Sequence, residues 1–261
     1  MTTLYDALLN LARRVRSVNT GVATGGTTTT LIDTVNRVEE DETFNGQTLF
    51  MLDGNNANTT HQIINFDNAT STITFSPAVT NAIADGDRYM VCRVVREDLV
   101  QAVNAALTEI GNVTKIDESL TVVADQTEYT LPAGIYNLVR VEVAASESAD
   151  YAYKRNYRWR EINGKLHIPR EFVETEGMKL RLYYNALHDN VDADADAIDA
   201  GIPLPLLTSV AAYNFQWQQY ANKGNFDQKE DTFLSKVQND MYAAQGKFRV
   251  RRMYRDPIHG E

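Results

Sequence analysis

The sequence predicts an α+β protein, a four-helix core carrying two inserted antiparallel β modules of small barrel or sandwich type. Three observations predict it. Four separate segments share an apolar seam spaced alternately four and three residues apart, the period of one helical face. Two stretches between them hold short β-rich runs punctuated by turn dipeptides, with no helical period. The segments alternate as helix, β insert, helix, β insert and helix hairpin. The expected division is 1–23, 96–118 and 201–247 for the helical bundle core, 24–95 for the first β module and 119–186 for the second. An acidic linker spans 187–200, and a basic C-terminal arm spans 248–261.

Residues 3–18 are expected as the first helix, with Leu4, Leu8, Leu11, Val15 and Val18 on one face. Thr3 can cap it, with Asp6 at the third position as in a capping box. Its other face carries Arg13, Arg14 and Arg16, read as a solvated cationic face near a helix C-terminus, with a partner-binding patch as the alternative. Strands are then expected at 27–32, 48–52, 62–65, 72–75 and 88–95, separated by Asn45-Gly46, Asp53-Gly54, Asp67-Asn68 and Asp85-Gly86. Strand starts at intervals of roughly 10–20 residues, without an intervening helical period, read as a small antiparallel barrel or sandwich. A second helix, 97–112, places Leu99, Val103, Ala106 and Ile110 on one face, with Glu97 and Asp98 in its first turn and Gly111 ending it.

The second module is expected to use strands at 119–123, 128–131, 138–144, 152–162, 165–168 and 178–184. Asn163-Gly164 is the preferred pair for a type I′ hairpin turn. Pro203 and Pro205 suit the first turn of a third helix, whose seam is Leu206, Val210, Tyr213, Trp217 and Tyr220. Gly224 ends it, and Asn225 with Gln228 can cap a fourth helix whose seam is Phe233, Val237, Met241 and Ala244.

The 261 residues suffice for a proper core, and 43% hydrophobic with 23% charged residues is ordinary for a globular chain. No run reaches the roughly 18 apolar residues that span a bilayer. The N-terminal stretch places its charges after its apolar residues and is not read as a signal peptide. A net charge of −10 disfavours a general nucleic-acid-binding body. One cysteine, Cys92, excludes an internal disulfide, and its apolar surroundings predict a buried, inert thiol and synthesis in a reducing cytoplasm.

No chemistry-bearing motif emerges. Asp192, Asp194, Asp196 and Asp199 alternate like a calcium loop, but the sixth and twelfth positions are Ala197 and Pro203, where such a loop needs Gly and Glu. They read as a solvated linker. His61, His167, His188 and His259 lack ligand spacing, and no nucleophile elbow or phosphate-cradling loop is present. The expectation is a non-enzymatic chain without catalytic residues, cofactor or metal. Tyr151, Tyr153, Tyr157 and Trp159, interleaved with Lys154, Arg155, Arg158 and Arg160, could clamp a single nucleic-acid strand, but core packing or protein contact is the favoured reading. The tail after Gly246 carries Lys247, Arg249, Arg251, Arg252 and Arg255 among apolar residues, a mix suited to docking on a protein partner.

The stretches GGTTTTLIDT and FDNATSTITFSPAV…ADGDRYMV resemble a β module common in tailed-phage virion proteins. The run DESLTVVADQTEYTLPAGIYNLVRVEV, followed by two helices and a basic tail, resembles the head-to-tail adaptor proteins of such phages, which include podovirus tail-tubular and neck ring proteins. The resemblance implies a homo-oligomeric ring, usually of twelve copies, beneath the portal protein in the virion neck. It implies β portions facing a downstream tail or neck protein, and DNA passing through the lumen without specific binding. With the local charge reversal, it points to Phe248, Arg249, Arg251, Arg252 and Tyr254 as portal-contact candidates. Rival readings are another virion role (tail tube, fibre attachment or decoration), a nucleic-acid-binding module, and a tail-associated hydrolase.

Overall fold

The computed structural model describes residues 2–15, 18–35, 37, 39–144, 153–156, 158–169, 176–223, 228–248 and 250. The architecture is α+β, and the described residues form four helices and three antiparallel sheets. The chain divides into two compact units. One joins Met1–Ile110 to Asp189–Arg249, and the other is built on Gly111–His188. None of the described helices is long and apolar enough to cross a membrane.

In the first unit, helix α1 (Leu4–Arg14) starts at Thr3, whose hydroxyl accepts the Asp6 N–H while the Asp6 carboxylate accepts the Thr3 N–H. It buries Leu4, Leu8 and Leu11 as the seam predicts. It stops four residues before the expected end, because Val18 begins strand β1 (Val18–Val22), where antiparallel pairing replaces the helical hydrogen bonds. The other strands of this sheet are β2 (Gly25–Gly26), β3 (Thr30–Ile32), β4 (Thr48–Met51), β5 (Thr59–Asp67), β6 (Thr72–Ser76) and β7 (Arg88–Cys92). Their order is β1-β7-β4-β5-β6-β3-β2.

Of the barrel or sandwich expected, a closed barrel does not form among the described residues: β1 and β2 are the edges of an open sheet. Both edges come from consecutive chain. At Ala23 the N–H donates to the Asp87 carbonyl on the β7 side, while the next N–H, of Thr24, donates to Ile32 in β3. The chain thus turns from one neighbour to the other without a continuous ladder. Gly21 makes the close approach possible, because a Cβ there would lie 2.4 Å from the Tyr89 hydroxyl. One face of β4 and β7 packs inward through Leu49, Met51, Tyr89 and Val91. Phe50 on the alternate side of β4 meets the Tyr5 ring of α1 at 5.9 Å, and the Tyr5 hydroxyl donates to the Met51 carbonyl at 2.7 Å.

Helix α2 (Arg96–Ile110) buries Leu99, Val103 and Ala106 and ends before Gly111, whose φ of 80° is the left-handed stop expected of it. Helices α3 (Leu204–Lys223) and α4 (Gln228–Lys247) follow. Helix α3 packs against α1, α2 and α4, and α1 also touches α2. The proposed cap at Gly224 and Asn225 lies outside the described residues.

The second unit holds β8 (Val113–Asp117), β9 (Glu128–Thr130), β10 (Leu138–Ala144), β11 (Tyr153–Asn156), β12 (Arg160–Ile162), β13 (Lys165–His167) and β14 (Leu180–Ala186). They form a four-stranded sheet, β11-β10-β14-β8, and a three-stranded sheet, β12-β13-β9. The Asn163-Gly164 turn joins β12 to β13 with φ of 50° and 71°, the positive values a type I′ turn requires. Two expectations change. The run 152–162 is two strands in different sheets, and between them Trp159 is only 7% exposed within the core. The run 119–123 forms no strand but bonds to 177–180 around the Thr121–Lys179 bridge, and the strand paired along β14 is β8, within the segment assigned to the helical core.

Candidate functional site

The root of the basic tail is visible. Phe248 extends the last turn of α4, its N–H donating to the Ala244 carbonyl at 2.8 Å, and the Lys247 ammonium stands 5.3 Å from the Phe248 ring centre. Arg249, Arg251, Arg252 and Tyr254, the other portal-contact candidates, lie outside the described residues. Of the five candidates, Phe248 alone has a described position, at the end of a helix.

That helix belongs to a surface the sequence reading did not single out as a whole. On α4, Val237, Met241 and Ala244 are buried and Phe233 is half-buried, as the seam predicts. On α3, the burial does not follow the whole predicted seam. Leu206, Leu207, Val210, Ala211 and Phe215 are buried, whereas Trp217 is 52% exposed. Tyr213, Trp217 and Tyr220 form a ladder of near-parallel rings, with centroids 6.4 and 5.9 Å apart. Their spacing keeps them on one face, but beyond Phe215 that face is not covered. Beside it, a pocket of about 250 Å³ is lined by Gln216, Tyr220, Lys229, Glu230, Phe233 and Leu234.

A second pocket, of about 190 Å³, lies where α1, α3 and α4 meet. Arg13, Arg14 and Lys236 line it with Asp240, over a floor of Ala212, Phe233 and Val237. Arg13 and Arg14 come from the cationic face noted in the sequence, and α4 supplies the third cation. Arg16 lies outside the described residues.

The acidic stretch 187–200 is docked rather than solvated along its Asp series. Asp194 accepts the Thr60 N–H at 2.5 Å and the Thr60 hydroxyl at 2.8 Å, and pairs with Arg96 at 3.1 Å. Its carbonyl accepts the Tyr5 N–H, and the Asp196 carbonyl accepts the Leu4 N–H, so the stretch completes the open N-terminus of α1. Asp196 accepts the N–H groups of Asp192 and Ala193, which hold its carboxyl below the usual range. Asp199 accepts the Gly201 N–H. Each of these three carboxylates has a protein partner, and the Asp192 side chain, though 95% exposed, pairs with Arg96 at 3.7 Å. Among the described residues no group of three His, Cys, Asp or Glu side chains stands in position to hold a metal ion.

A buried polar cluster lies in the first sheet. The Tyr89 hydroxyl donates to Asp33 at 2.6 Å and accepts from Arg37 Nε at 2.7 Å, while Arg37 Nη1 donates to Glu39 at 3.2 Å. The guanidinium lies 5.1 Å from the centres of the Phe44 and Tyr89 rings. Burial, reinforced by the bond to Asp33, pushes the Tyr89 hydroxyl well above its ordinary value. This charge cluster pins the β3–β4 connection to β7. Burial likewise pushes the Cys92 thiol up, which matches the inert thiol expected of it.

In the second unit the aromatic and cationic residues do not form a strand-binding platform among the described positions. Trp159 is in the core, and the face of Tyr153 is occupied by the Arg181 guanidinium at 3.5 Å from the ring centre. Tyr151 and Tyr157 lie outside the described residues. Glu142, nearly fully buried, is satisfied by the Tyr183 hydroxyl at 3.0 Å and by Arg140.

No protein-family model matches the chain, and no curated protein matches it in sequence.

Proposed function

We propose that this chain is a structural virion protein of a tailed bacteriophage, a head-to-tail connector adaptor that forms a ring under the portal and joins the capsid to the tail. In this reading the four helices are a single core into which two β modules are inserted, and the protein is not an enzyme. The observation that carries the proposal is the packing of α3 against α1, α2 and α4, although about eighty residues of sheet separate α1 from α2. Helices gathered from across the chain, interrupted by β inserts and ending in a basic arm, reproduce the element order of the adaptors that the sequence resembles.

The mechanism follows from charge and position. The arm leaves α4 at Phe248, and its cations oppose the sign of a chain that is −10 as a whole. Its contacts form against the assembled portal, so attachment follows packaging. The acidic body lets DNA pass through the ring without binding it. The ring, of twelve copies by the resemblance, presents its β portions to the next neck or tail protein.

Deleting residues 247–261, or replacing Phe248, Arg249, Arg251, Arg252 and Tyr254 together by Ala, should abolish co-sedimentation with portal rings while leaving the far-ultraviolet circular dichroism spectrum of the body intact. Undiminished portal binding would sink the proposed role of the arm. Absence of portal binding by the intact protein would instead favour a tail-tube, fibre-attachment or decoration role.

A further inference from the structure

The pocket at the meeting of α1, α3 and α4 has a chemical character unlike the chain as a whole. Arg13, Arg14 and Lys236 face a single carboxylate, Asp240, so the pocket carries a net of two positive charges in a protein at −10. Arg13, Arg14, Lys236 and Asp240 are all exposed, and among the described residues none of the three cations has an ion-pair partner. The floor is apolar, with Val237 and Ala212 buried and Phe233 half-buried. A concave site with an apolar floor and a cationic rim fits an acidic loop of a protein better than the convex, uniformly charged backbone of DNA.

The same compact unit carries such a loop. Glu40, Asp41 and Glu42 are consecutive and exposed in the turn between β3 and β4. The turn is held in shape. Asp41 accepts the Asn68 N–H at 2.6 Å, the Glu42 N–H donates to the Phe66 carbonyl at 3.0 Å, and the Thr43 hydroxyl donates to the Glu40 carbonyl at 2.5 Å. Behind it, Glu39 is committed to Arg37. Three negative charges on a preorganised turn lose little entropy on docking.

We propose that the occupant of the pocket is a second copy of this chain, whose turn at Glu40–Glu42 docks between Arg13, Arg14 and Lys236. The contact joins two different patches, so one copy keeps its pocket and the other its turn for further neighbours. That is the heterologous arrangement that closes into rings. The inference deepens the proposed ring by naming its contact, and its test needs no portal.

Two proteins test it, one carrying Arg13→Glu, Arg14→Glu and Lys236→Glu, the other Glu40→Lys and Glu42→Lys. Sedimentation equilibrium at low salt should show concentration-dependent self-association of the unmodified protein, weakened at high salt. Each variant alone should associate about tenfold more weakly, since like charges then face each other. An equimolar mixture should recover association, because the reversed turn fits the reversed pocket and the two native patches fit each other. Melting curves of the separate variants confirm folding, and recovery in the mixture is a result that misfolded proteins cannot give. A mixture that stays dissociated, or an unmodified protein that is monomeric throughout, would overturn the contact. Loss of duplex-DNA binding in the pocket variant with unchanged association would overturn it in favour of a nucleic-acid site. Portal co-sedimentation of the same proteins reads the adaptor role separately.

Discussion

Asp194 and His61 illustrate how single side chains acquire roles from distant partners. Asp194 stands in a stretch that composition marks as solvated, yet it satisfies Thr60 and Arg96 on β5 and α2. His61, on the same strand, is buried, with Nδ1 bonded to the Pro77 carbonyl at 2.8 Å. Because that carbonyl can only accept, Nδ1 carries the proton. Burial disfavours the imidazolium and lowers the His61 pKa, against smaller effects of the Pro77 bond and of Asp194 that raise it. The unfolded chain takes up its proton near the ordinary value of 6.5, where the folded protein does not. The contribution of His61 to stability is therefore complete above that value and is lost as the pH falls through the lowered folded value. Urea unfolding across this acid range should show a slope that is reduced in His61→Asn; an identical slope in the variant would disprove the assignment. Neither residue's role could be read locally. Thr60 and Arg96 are far from Asp194 in sequence. The Thr59 hydroxyl meets Nε2 of His61 at 2.9 Å, but the Pro77 carbonyl that fixes its proton comes from another strand's end.

At the scale of elements, periodicity finds a helix face but not where the neighbour on that face ends. The seam of α3 continues with correct spacing through Trp217 and Tyr220, while burial shifts to Phe215 and Ala211. A 20-residue helix spans about 30 Å, longer than the face its neighbours cover here. Phe215→Ala should accordingly cost about 3–5 kcal/mol of unfolding free energy, as a buried ring lost to a cavity. Trp217→Ala should cost no more than about 0.5 kcal/mol, as an exposed substitution. Chemical denaturation of the two variants separates these expectations, and comparable losses would mean that the ladder is covered in the folded protein. The end of α1 and the location of β8 depart from the sequence expectation for a related reason. Val18 continues a helical seam and also alternates as a strand residue, and only the waiting partner, Cys92 in β7, decides between them. The Asn163-Gly164 turn and the Thr3–Asp6 capping box needed no such arbiter, since each is complete within four residues.

At the scale of the molecule, the first unit is discontinuous in the chain, and the second is built on the single stretch Gly111–His188. Helix α3 returns, after the second unit, to cover α1 and α2, and α4 packs on α3. A fragment ending at residue 188 therefore leaves Leu8, Leu11, Val103 and Leu107 without the helix that buries them, and it should aggregate or bind a hydrophobic dye. Residues 111–188 contain the cluster around Trp159, Leu166, Leu180 and Leu182, and this fragment should retain dispersed methyl resonances. The reverse pattern would contradict the division. The sequence by itself determined what is local: helix phases, caps, the type I′ turn, the alternation of helices with β inserts and the acidic charge. These depend on neighbours within about one helical turn or one tight turn. The tertiary structure alone decided the open strand order, the docking of the acidic stretch, the bare end of α3, and the pocket joining Arg13 and Arg14 to Lys236. Each of those turns on which distant surfaces compete for burial and hydrogen bonds, and local propensity is silent on the winner.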